Sequence, residues 1–382
     1  MKILIAVNAF KGSLSCIEAS NAISRGIRKV FPATKIISCP VADGGDGLLD
    51  VIRSLPSVKT IKCKVLDPRK KKISSEFCWL EKEKTVFIEM ALASGLALLP
   101  KKLRNPMKTT TYGTGQLIVE ALKLKPRKII LGIGGSATCD GGAGAASALG
   151  VKFSDKAGKI ISIPSGGDLK RINSIDLSDI DKRLKNTDIE IICDVENLLL
   201  GPKGSAAIYA PQKGASPAQV KELEKGLAIF ADKVRKYTMK DIKKIKGGGA
   251  AGGISAGMHA LFGAELKPGI DVVFNLVGLE DKIKNADLVI TGEGKIDSQT
   301  AYGKAPAGVA KLAKKHGVPC IALCGCAGRN LASLKKIGIE AVFPICKEAK
   351  NAEDSMKNAA KYLKITAAKA MWKCESSKIR KF

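Results

Sequence analysis

The chain opens with the apolar run MKILIAV at residues 1–7, which the loop-like segment NAFKGSLS follows at residues 8–15. The run is too short for a membrane span, which needs about 18–20 apolar residues, or for the core of a signal peptide, and it fits a buried strand. Ser15 and Glu18 have the spacing of a helix capping box, and apolar residues recur at helical spacing after them. This stretch therefore predicts a strand, a loop and a helix in succession, which is the repeating unit of α/β folds.

Four more apolar runs have the length of buried parallel strands. With the first strand, they lie at residues 3–7, 36–41, 288–291, 320–324 and 341–345. Because two of the five precede residue 60 and three follow residue 285, we predict one domain made from both ends of the chain. The predicted architecture is a doubly wound parallel-sheet (Rossmann-like) α/β domain formed by residues 1–58 and 248–382, with a second α/β domain inserted at residues 59–247.

The inserted segment has its own series of predicted elements. Strands are predicted at residues 60–65, 73–79, 85–89, 128–133 and 190–193, and a helix near residues 113–124. A lysine-rich stretch then leads into the run GGGAAGG at residues 247–253, where we place the second domain boundary. That run is compatible with a flexible hinge or with a phosphate-binding loop, and the sequence does not choose between them.

The composition limits the classes of partner. The 382 residues include 64 Lys and Arg and 36 Asp and Glu, for a net charge of +28, and such a surface attracts anions. Aromatic residues make up 4% of the chain, too few for a base-stacking platform, and no zinc-finger spacing occurs. We expect small-molecule ligands, no nucleic-acid partner, no membrane association and a cytoplasmic location. The sequence leaves the oligomeric state open.

The strongest local motif is GIGGSATCDGGAG at residues 132–144, between an apolar strand and a helix-like segment. Small residues let a backbone approach a ligand closely, and free N–H groups at the start of a helix attract anions. The predicted cofactor-binding residues of this loop are Gly134, Gly135, Ser136 and Thr138. Asp140, in the same loop, could hold a cation or accept a proton.

The glycine loop also has a second interpretation. Gly132, Gly134 and Ala137 match the dinucleotide fingerprint G-x-G-x-x-A, with Asp155 about twenty residues further on. A dinucleotide-dependent oxidoreductase is therefore one alternative, and a non-catalytic binding protein for a sugar acid or nucleic acid is another. The P-loop pattern G-x-x-x-x-G-K-[ST] does not occur. Phosphoryl transfer does not require that loop, since it needs cations, an aligned acceptor and often a carboxylate that takes the acceptor's proton.

Charged side chains follow several predicted strands, at the strand ends where open α/β sheets bind ligands. Glu293 and Asp297 follow the strand at residues 288–291, and Lys304 lies on the glycine-containing loop after them. Two acids and a lysine in this arrangement suit Mg²⁺ and phosphate.

Three further loops carry candidate site residues. Lys11 lies in the loop after the first strand, and Asp43 lies in PVADGGDG at residues 40–47, after the second. Asp194 follows the last strand of the inserted domain, and Lys213 lies in the later loop PQKG. We expect aspartates and lysines, and not a serine nucleophile, to carry the chemistry.

Taken together, these segments resemble the bacterial glycerate kinase family. The likeness runs from Lys2 to about Ile345, and the order and spacing of its motifs carry it: residues 42–45 (ADGG), 104–106 (RNP), 110–115 (TTYGTG), 132–142, 201–204 (GPKG), 211–215 (PQKGA), 291–300 and 303–304. The resemblance implies phosphoryl transfer from ATP to D-glycerate with Mg²⁺, usually giving the 2-phosphate, although the 3-phosphate is often assigned. It also implies two α/β domains, one of them discontinuous, with the site in the cleft between them. Asn8 stands where many members have Asp.

The sequence and the resemblance suggest three groups of functional residues. The candidate metal ligands are Glu293, Asp297 and Asp140. The candidate cofactor-binding residues are the four loop residues named above together with Lys213 and Lys304. The candidate catalytic residues are Asp43, Asp194, Lys11 and Asp297, and it stays open whether Asp43 or Asp194 accepts the hydroxyl proton.

Overall fold

The structure, a computed structural model, describes residues 1–43, 47–297, 300, 304–329 and 331–376. The chain divides into two compact units: unit 1 contains Met1–Asp43 and Gly269–Phe382, and unit 2 contains Gly44–Pro268. None of the helices in these described ranges is long and apolar enough to cross a membrane.

The described residues form thirteen strands and fourteen α-helices. The strands are β1 (Lys2–Val7), β2 (Lys35–Ser38), β3 (Val58–Leu66), β4 (Lys72–Leu80), β5 (Thr85–Glu89), β6 (Lys128–Gly132), β7 (Lys152–Ser154), β8 (Ser174–Asp176), β9 (Asp188–Ile192), β10 (Glu265–Lys267), β11 (Leu288–Ile296), β12 (Cys320–Ala327) and β13 (Ile339–Pro344). The helices are α1 (Cys16–Val30), α2 (Leu48–Arg53), α3 (Ala91–Ser94), α4 (Tyr112–Leu122), α5 (Ala143–Ala148), α6 (Ser205–Tyr209), α7 (Pro217–Thr238), α8 (Ile254–Phe262), α9 (Gly269–Leu276), α10 (Leu279–Lys284), α11 (Ala305–Lys315), α12 (Ala332–Lys336), α13 (Ala352–Lys357) and α14 (Ala359–Ser376).

Unit 1 is built on a five-stranded sheet in the order β13-β12-β11-β1-β2, in which every neighbouring pair is parallel. Ile3, Ile5 and Val7 pack in one core with side chains of α1 and α14. Leu4 and Ala6 alternate with them along β1 and are also fully buried. Both faces of this strand are therefore covered, and the predicted α/β fold with a parallel sheet is confirmed.

Helix α1 begins at the predicted capping box. The Glu18 backbone N–H donates to Ser15 Oγ at 3.2 Å, and the Ser15 backbone N–H donates to Glu18 Oε2 at 2.9 Å. These bonds satisfy donors that a helix start leaves without an intrahelical partner.

The third strand of this sheet is longer than predicted. β11 does not end at residue 291 but continues to Ile296, beside β12. The glycines that suggested a turn instead allow close approach of the two strands, because a Cβ added at Gly292 would lie 2.0 Å from the Leu323 carbonyl oxygen. Glu293 is therefore within the strand, and not after its end as we had predicted.

Unit 2 is built on a six-stranded mixed sheet in the order β10-β9-β6-β5-β4-β3. The four strands from β10 to β5 are parallel to their neighbours, while β4 is antiparallel to both β5 and β3. Side chains of β5 and β6 pack with those of α4, α5 and α8 in one core, and α7 packs with the separate β7-β8 sheet in another. The parallel part of the sheet therefore carries the glycine-rich loop after β6 and the loop with Asp194 after β9.

The boundaries between the units differ from our prediction of 58/59 and 247/248, since they fall at 43/44 and 268/269. The first differs because α2 packs within unit 2, where the Leu48 backbone N–H donates to Glu89 Oε1 at 2.8 Å and Arg53 forms an ion pair with Glu76. The second differs because the glycine run at residues 247–253 is mostly buried inside unit 2.

A glycine in α1 provides a test of the packing in unit 1. In the middle of a helix, alanine is normally better than glycine by about 1 kcal/mol. At Gly26, however, an added Cβ would lie 2.3 Å from the Lys364 carbonyl oxygen and 2.9 Å from the Ala367 Cβ, both on α14. We expect Gly26→Ala to lower the free energy of unfolding by about 1–3 kcal/mol through overpacking, as measured by denaturant unfolding.

Asn21→Ala, at an exposed position of the same helix, is the matched control and should leave the stability unchanged or slightly higher. If Gly26→Ala is as stable as this control, the close contact between α1 and α14 is wrong.

Candidate active site

A glycine-rich loop follows β6 in unit 2 and leads into α5. Gly135, Gly141 and Gly142 have φ values of 69°, 62° and 80°, in the left-handed region that favours glycine. The Ala137 backbone N–H donates to the Ser94 carbonyl oxygen at 2.9 Å, which ties the middle of the loop to the end of α3. The predicted phosphate loop is therefore a fixed turn at the carboxyl end of a buried strand.

Lys213 reaches into this loop from a short turn, Pro211–Lys213, and is 2% exposed. Its ammonium donates to Ser136 Oγ and to the Thr138 carbonyl oxygen, each at 2.7 Å. Burial lowers the pKa of Lys213, because the charged form loses its hydration. An ammonium has three N–H donors, and the described residues accept two of them.

The hydroxyls around Lys213 have the character of an anion site. Ser136 is 8% exposed, and Thr138 Oγ1 is buried with no hydrogen-bond partner among the described residues. Gly134 is half-buried and Gly135 is exposed, so the loop backbone is open to a ligand on that side. A buried ammonium, a hydroxyl and a glycine backbone together suit a phosphate group.

Asp140, within this loop, is fully buried, and its two oxygens accept four hydrogen bonds. Oδ2 accepts from the Thr111 backbone N–H at 2.7 Å, the Thr111 hydroxyl at 2.8 Å and the Gly144 N–H at 3.3 Å, while Oδ1 accepts from the Gly142 N–H at 3.2 Å. Burial raises the pKa of Asp140, and these donors oppose that rise by favouring the carboxylate. We therefore propose that Asp140 joins the starts of α4 and α5 as a positioning residue, in place of the metal-binding role predicted from the sequence.

The glycine run at residues 247–253 packs against this loop. A Cβ added at Gly252 would lie 2.0 Å from the Thr138 carbonyl oxygen, and the Gly252 carbonyl accepts from the Gly141 N–H at 2.9 Å. The run is thus a buried support for the glycine loop, and both interpretations offered by the sequence, a hinge and a second phosphate loop, are replaced.

A second group of polar side chains lies in unit 1. Asp43 Oδ2 accepts from Asn8 Nδ2 at 2.9 Å, and Asp43 Oδ1 accepts at 2.5 Å from the N–H of Ala305, the first residue of α11. Burial raises the pKa of Asp43, although these two bonds and the charge of Lys304 act in the opposite direction. Its carboxylate is therefore fixed in orientation and more basic than an exposed aspartate.

Glu293 adjoins Asp43 and is 7% exposed. Thr300 Oγ1 donates to its Oε1 at 2.9 Å, and Lys304 Nζ lies 3.4 Å from each of its oxygens. Burial raises the pKa of Glu293 and the negative charge of Asp43 adds to the rise, while Thr300 and Lys304 oppose it. Unit 1 therefore brings two predicted acids and one predicted lysine into one group.

The remaining candidates are placed as follows. Asp297 adjoins the group in unit 1 that contains Asp43, Glu293 and Lys304, since its N–H donates to Thr300 Oγ1 at 3.2 Å. The exposed Lys11 lies next to β11, because a Cβ added at Gly294 would lie 3.3 Å from its backbone nitrogen. Asp194 is exposed in the loop after β9 of unit 2. Residues 44–46, 298–299 and 303 of the predicted motifs lie outside the described residues.

Two contributors to the unit 1 group were missed by the sequence analysis. Asn8 orients Asp43, and its position directly after β1 was a signal that could have identified it. Thr300 holds Glu293 from seven residues further along the chain. No periodicity or motif predicts that bond, because it joins a residue beyond the end of β11 to a residue within the strand.

The dinucleotide interpretation loses its support at Asp155. This residue lies in a turn after β7, where its Oδ1 accepts from the N–H groups of Ala157 and Lys159, each at 3.0 Å. A ribose-binding acid is expected in the same sheet as the glycine loop, but β7 belongs to a separate two-stranded sheet.

Comparison with known proteins identifies close relatives over nearly the full length. The model of the glycerate kinase family matches residues 3–374. Glycerate kinase of Bacillus cereus (strain ATCC 10987 / NRS 248) is 44% identical over 380 residues, covering 99% of this chain and 100% of that protein. Glycerate 2-kinase of Escherichia coli (strain K12) is 43% identical over 359 residues, covering 94% of each. A crystal structure from Salmonella typhimurium LT2, described as a candidate glycerate kinase 2, covers 98% of each chain with a TM-score of 0.85 and 39% identity.

The network around Asp140 can be tested by stability. In Asp140→Asn, the amide NH2 would face N–H donors of Thr111 or Gly142 and could not accept from them. We expect the free energy of unfolding to fall by about 1–3 kcal/mol, as measured by denaturant unfolding. Asp188→Asn, at an exposed position of the same unit, is the control and should change it by less than about 0.5 kcal/mol. If the two variants are equally stable, Asp140 does not hold the starts of α4 and α5 in position.

Proposed function

We propose that this chain, which belongs to the glycerate kinase family, transfers the γ-phosphoryl group of ATP to D-glycerate and forms 2-phosphoglycerate. The observation that carries the proposal is the match over residues 3–374, together with the 43% identity to a relative named glycerate 2-kinase. That match includes both units, so it covers all the residues to which we give a role. The choice of the 2-hydroxyl rests on that relative.

In unit 2, we assign phosphate binding to the glycine loop. Gly134 and Gly135 leave room for a phosphate oxygen near the backbone, and Ser136 and Thr138 offer hydroxyl groups. The remaining donor of the Lys213 ammonium is held in place by its bonds to Ser136 and Thr138. An ammonium with fixed orientation stabilises negative charge on a transferring phosphoryl group without a reorganisation cost.

In unit 1, we assign the general base to Asp43. The hydroxyl oxygen of glycerate attacks the γ-phosphorus, the bond between that phosphorus and the β,γ-bridging oxygen breaks, and the electron pair leaves with ADP. The hydroxyl proton passes to the Asp43 carboxylate, which Asn8 and the start of α11 hold in a fixed orientation. Asp194 is the weaker candidate because it is exposed, whereas the Asp43 carboxylate is partly buried and held by two hydrogen bonds.

The unit 1 group also has a donor set that fits Mg²⁺. Magnesium prefers oxygen ligands and is commonly bound through one or two carboxylates together with substrate phosphates and water. Thr300 Oγ1 joins the two acids of this group, since it donates to Glu293 Oε1 at 2.9 Å and accepts from the Asp297 N–H at 3.2 Å. We propose Glu293 and Asp297 as its ligands; when bound, the ion neutralises charge on the phosphate oxygens. Lys304 and Lys11 supply further positive charge for the phosphoryl group or the glycerate carboxylate.

The activity can be tested directly with the full chain. With ATP, Mg²⁺ and D-glycerate, we expect one ADP per phosphoglycerate formed, and ³¹P and ¹H NMR should identify the product as the 2-phosphate. Omission of glycerate should abolish ADP formation. If ADP does not form, the function is wrong, whereas a 3-phosphate product overturns only the choice of hydroxyl.

The role of Asp43 predicts both a rate and a pH dependence. Because a base must be ionised, kcat/KM should fall as the pH drops through the raised pKa of Asp43, above the 3.8 of an ordinary aspartate. Asp43→Asn should lower kcat by about 10²–10⁴-fold and remove this acid limb. Asp271→Asn, at an exposed position of unit 1, should retain the wild-type rate. An unchanged acid limb in Asp43→Asn would assign the base elsewhere, with Asp194→Asn as the next variant to measure.

A further inference from the structure

A cavity of about 420 Å³ lies in unit 2, at the edge of the sheet opposite the glycine loop. Its wall includes four basic residues, Lys84, Lys125, Arg127 and Arg183, and the apolar side chains of Leu122 and Pro126. No acidic residue lines it. We call it the amino-edge cavity, because it adjoins the first residues of three parallel strands.

The cavity is positioned by the sheet itself. Lys84 directly precedes β5, Arg127 directly precedes β6, and Thr187 directly precedes β9, and these strands are neighbours in the order β9-β6-β5. The glycine loop begins at the other end of β6, five residues away. At about 3.3 Å per residue, Arg127 and Gly132 are separated by about 16 Å, so the amino-edge cavity is separate from the loop that we assign to ATP.

Hydrogen bonds between the three segments hold the cavity in shape. The Arg127 N–H donates to the Lys84 carbonyl at 2.8 Å, and the Asp188 N–H donates to the Arg127 carbonyl at 2.9 Å. The Thr187 hydroxyl donates to the Pro126 carbonyl at 3.0 Å. Binding there would therefore need little ordering of the backbone, which favours affinity.

The charge of the cavity is largely uncompensated. The side chains of Lys84, Lys125 and Arg127 form no ion pair or hydrogen bond with the residues that the structure describes. Arg183 is oriented by Asp181, whose carboxylate accepts from its Nε at 2.9 Å and its Nη2 at 2.6 Å. Four cations around this cavity, of which Arg183 alone is ion-paired among the described residues, attract an anion of more than one charge.

We propose that the amino-edge cavity binds a small organic phosphate monoester. Its volume lies within the range of about 300–1,000 Å³ that is typical of small-ligand sites. Lysine and arginine together provide the charge-assisted hydrogen bonds that phosphate takes. Leu122 and Pro126 give an apolar wall for the carbon skeleton, which favours an ester over inorganic phosphate. The site does not depend on the proposed function.

The test is a calorimetric titration of the full chain with glycerol 2-phosphate and, separately, with inorganic phosphate. The double variant Lys125→Gln/Arg127→Gln removes two unpaired cations from the cavity. Each lost charge-assisted bond weakens binding about tenfold, so we expect the site for the ester to disappear from the titration. Lys156→Gln/Lys159→Gln changes the net charge equally at exposed positions in the turn after β7, and it should bind within about twofold of wild type.

Several results would overturn the proposal. They are equal ester binding by the cavity variant and the wild type, equal loss in both double variants, tighter binding of inorganic phosphate than of the ester, and tighter binding of single-stranded RNA through the same two residues. Both variants should fold, because the changed side chains are exposed. Glycerate phosphorylation should also be unchanged in both, so a failed titration and a failed kinase assay would be distinguishable.

Discussion

A charge can be buried in a protein only where hydrogen-bond donors or acceptors replace the water that it loses. Three candidate site residues meet this requirement in different ways. Asp140 has four donors, Lys213 has two oxygen acceptors, and Glu293 has Thr300 and Lys304. Thr111 lies 29 residues from Asp140 and Ser136 lies 77 residues from Lys213, so these two buried charges determine how the loops of unit 2 are arranged. The partners of Glu293 lie 7 and 11 residues further along the chain, and they determine how the segment after β11 is held.

In unit 2, this requirement links the fold to the proposed chemistry. Asp140 joins the starts of α4 and α5, and Lys213 is held against the loop that precedes α5. The glycine run at residues 247–253 packs against the same loop. An ammonium fixed in this way keeps its orientation when phosphate charge develops, whereas a mobile surface lysine must first be ordered.

In unit 1, the acids are held close enough to affect each other. Asp43 and Glu293 both have raised pKa values because of burial, and the charge of Asp43 adds to the rise at Glu293. Lys304 opposes both effects, which keeps ionisation of the pair accessible. A carboxylate with raised basicity and fixed orientation is suited to proton abstraction. In unit 2, part of the high positive charge of the chain is gathered at the amino-edge cavity, where we propose that it binds a phosphate ester.

The sequence by itself determined the fold class and the family. Apolar runs of strand length, the capping box at Ser15 and Glu18, and the order of glycine-rich motifs depend on local composition, so they could be read along the chain. The tertiary structure decided the domain boundaries, because α2 and the glycine run gain their contacts from distant strands and loops. It also decided that β11 continues through Gly292 and Glu293, that Asp140 holds two helix starts, and that Thr300 bonds Glu293. These outcomes depend on which groups lose water together, and that is fixed only when distant segments pack against each other.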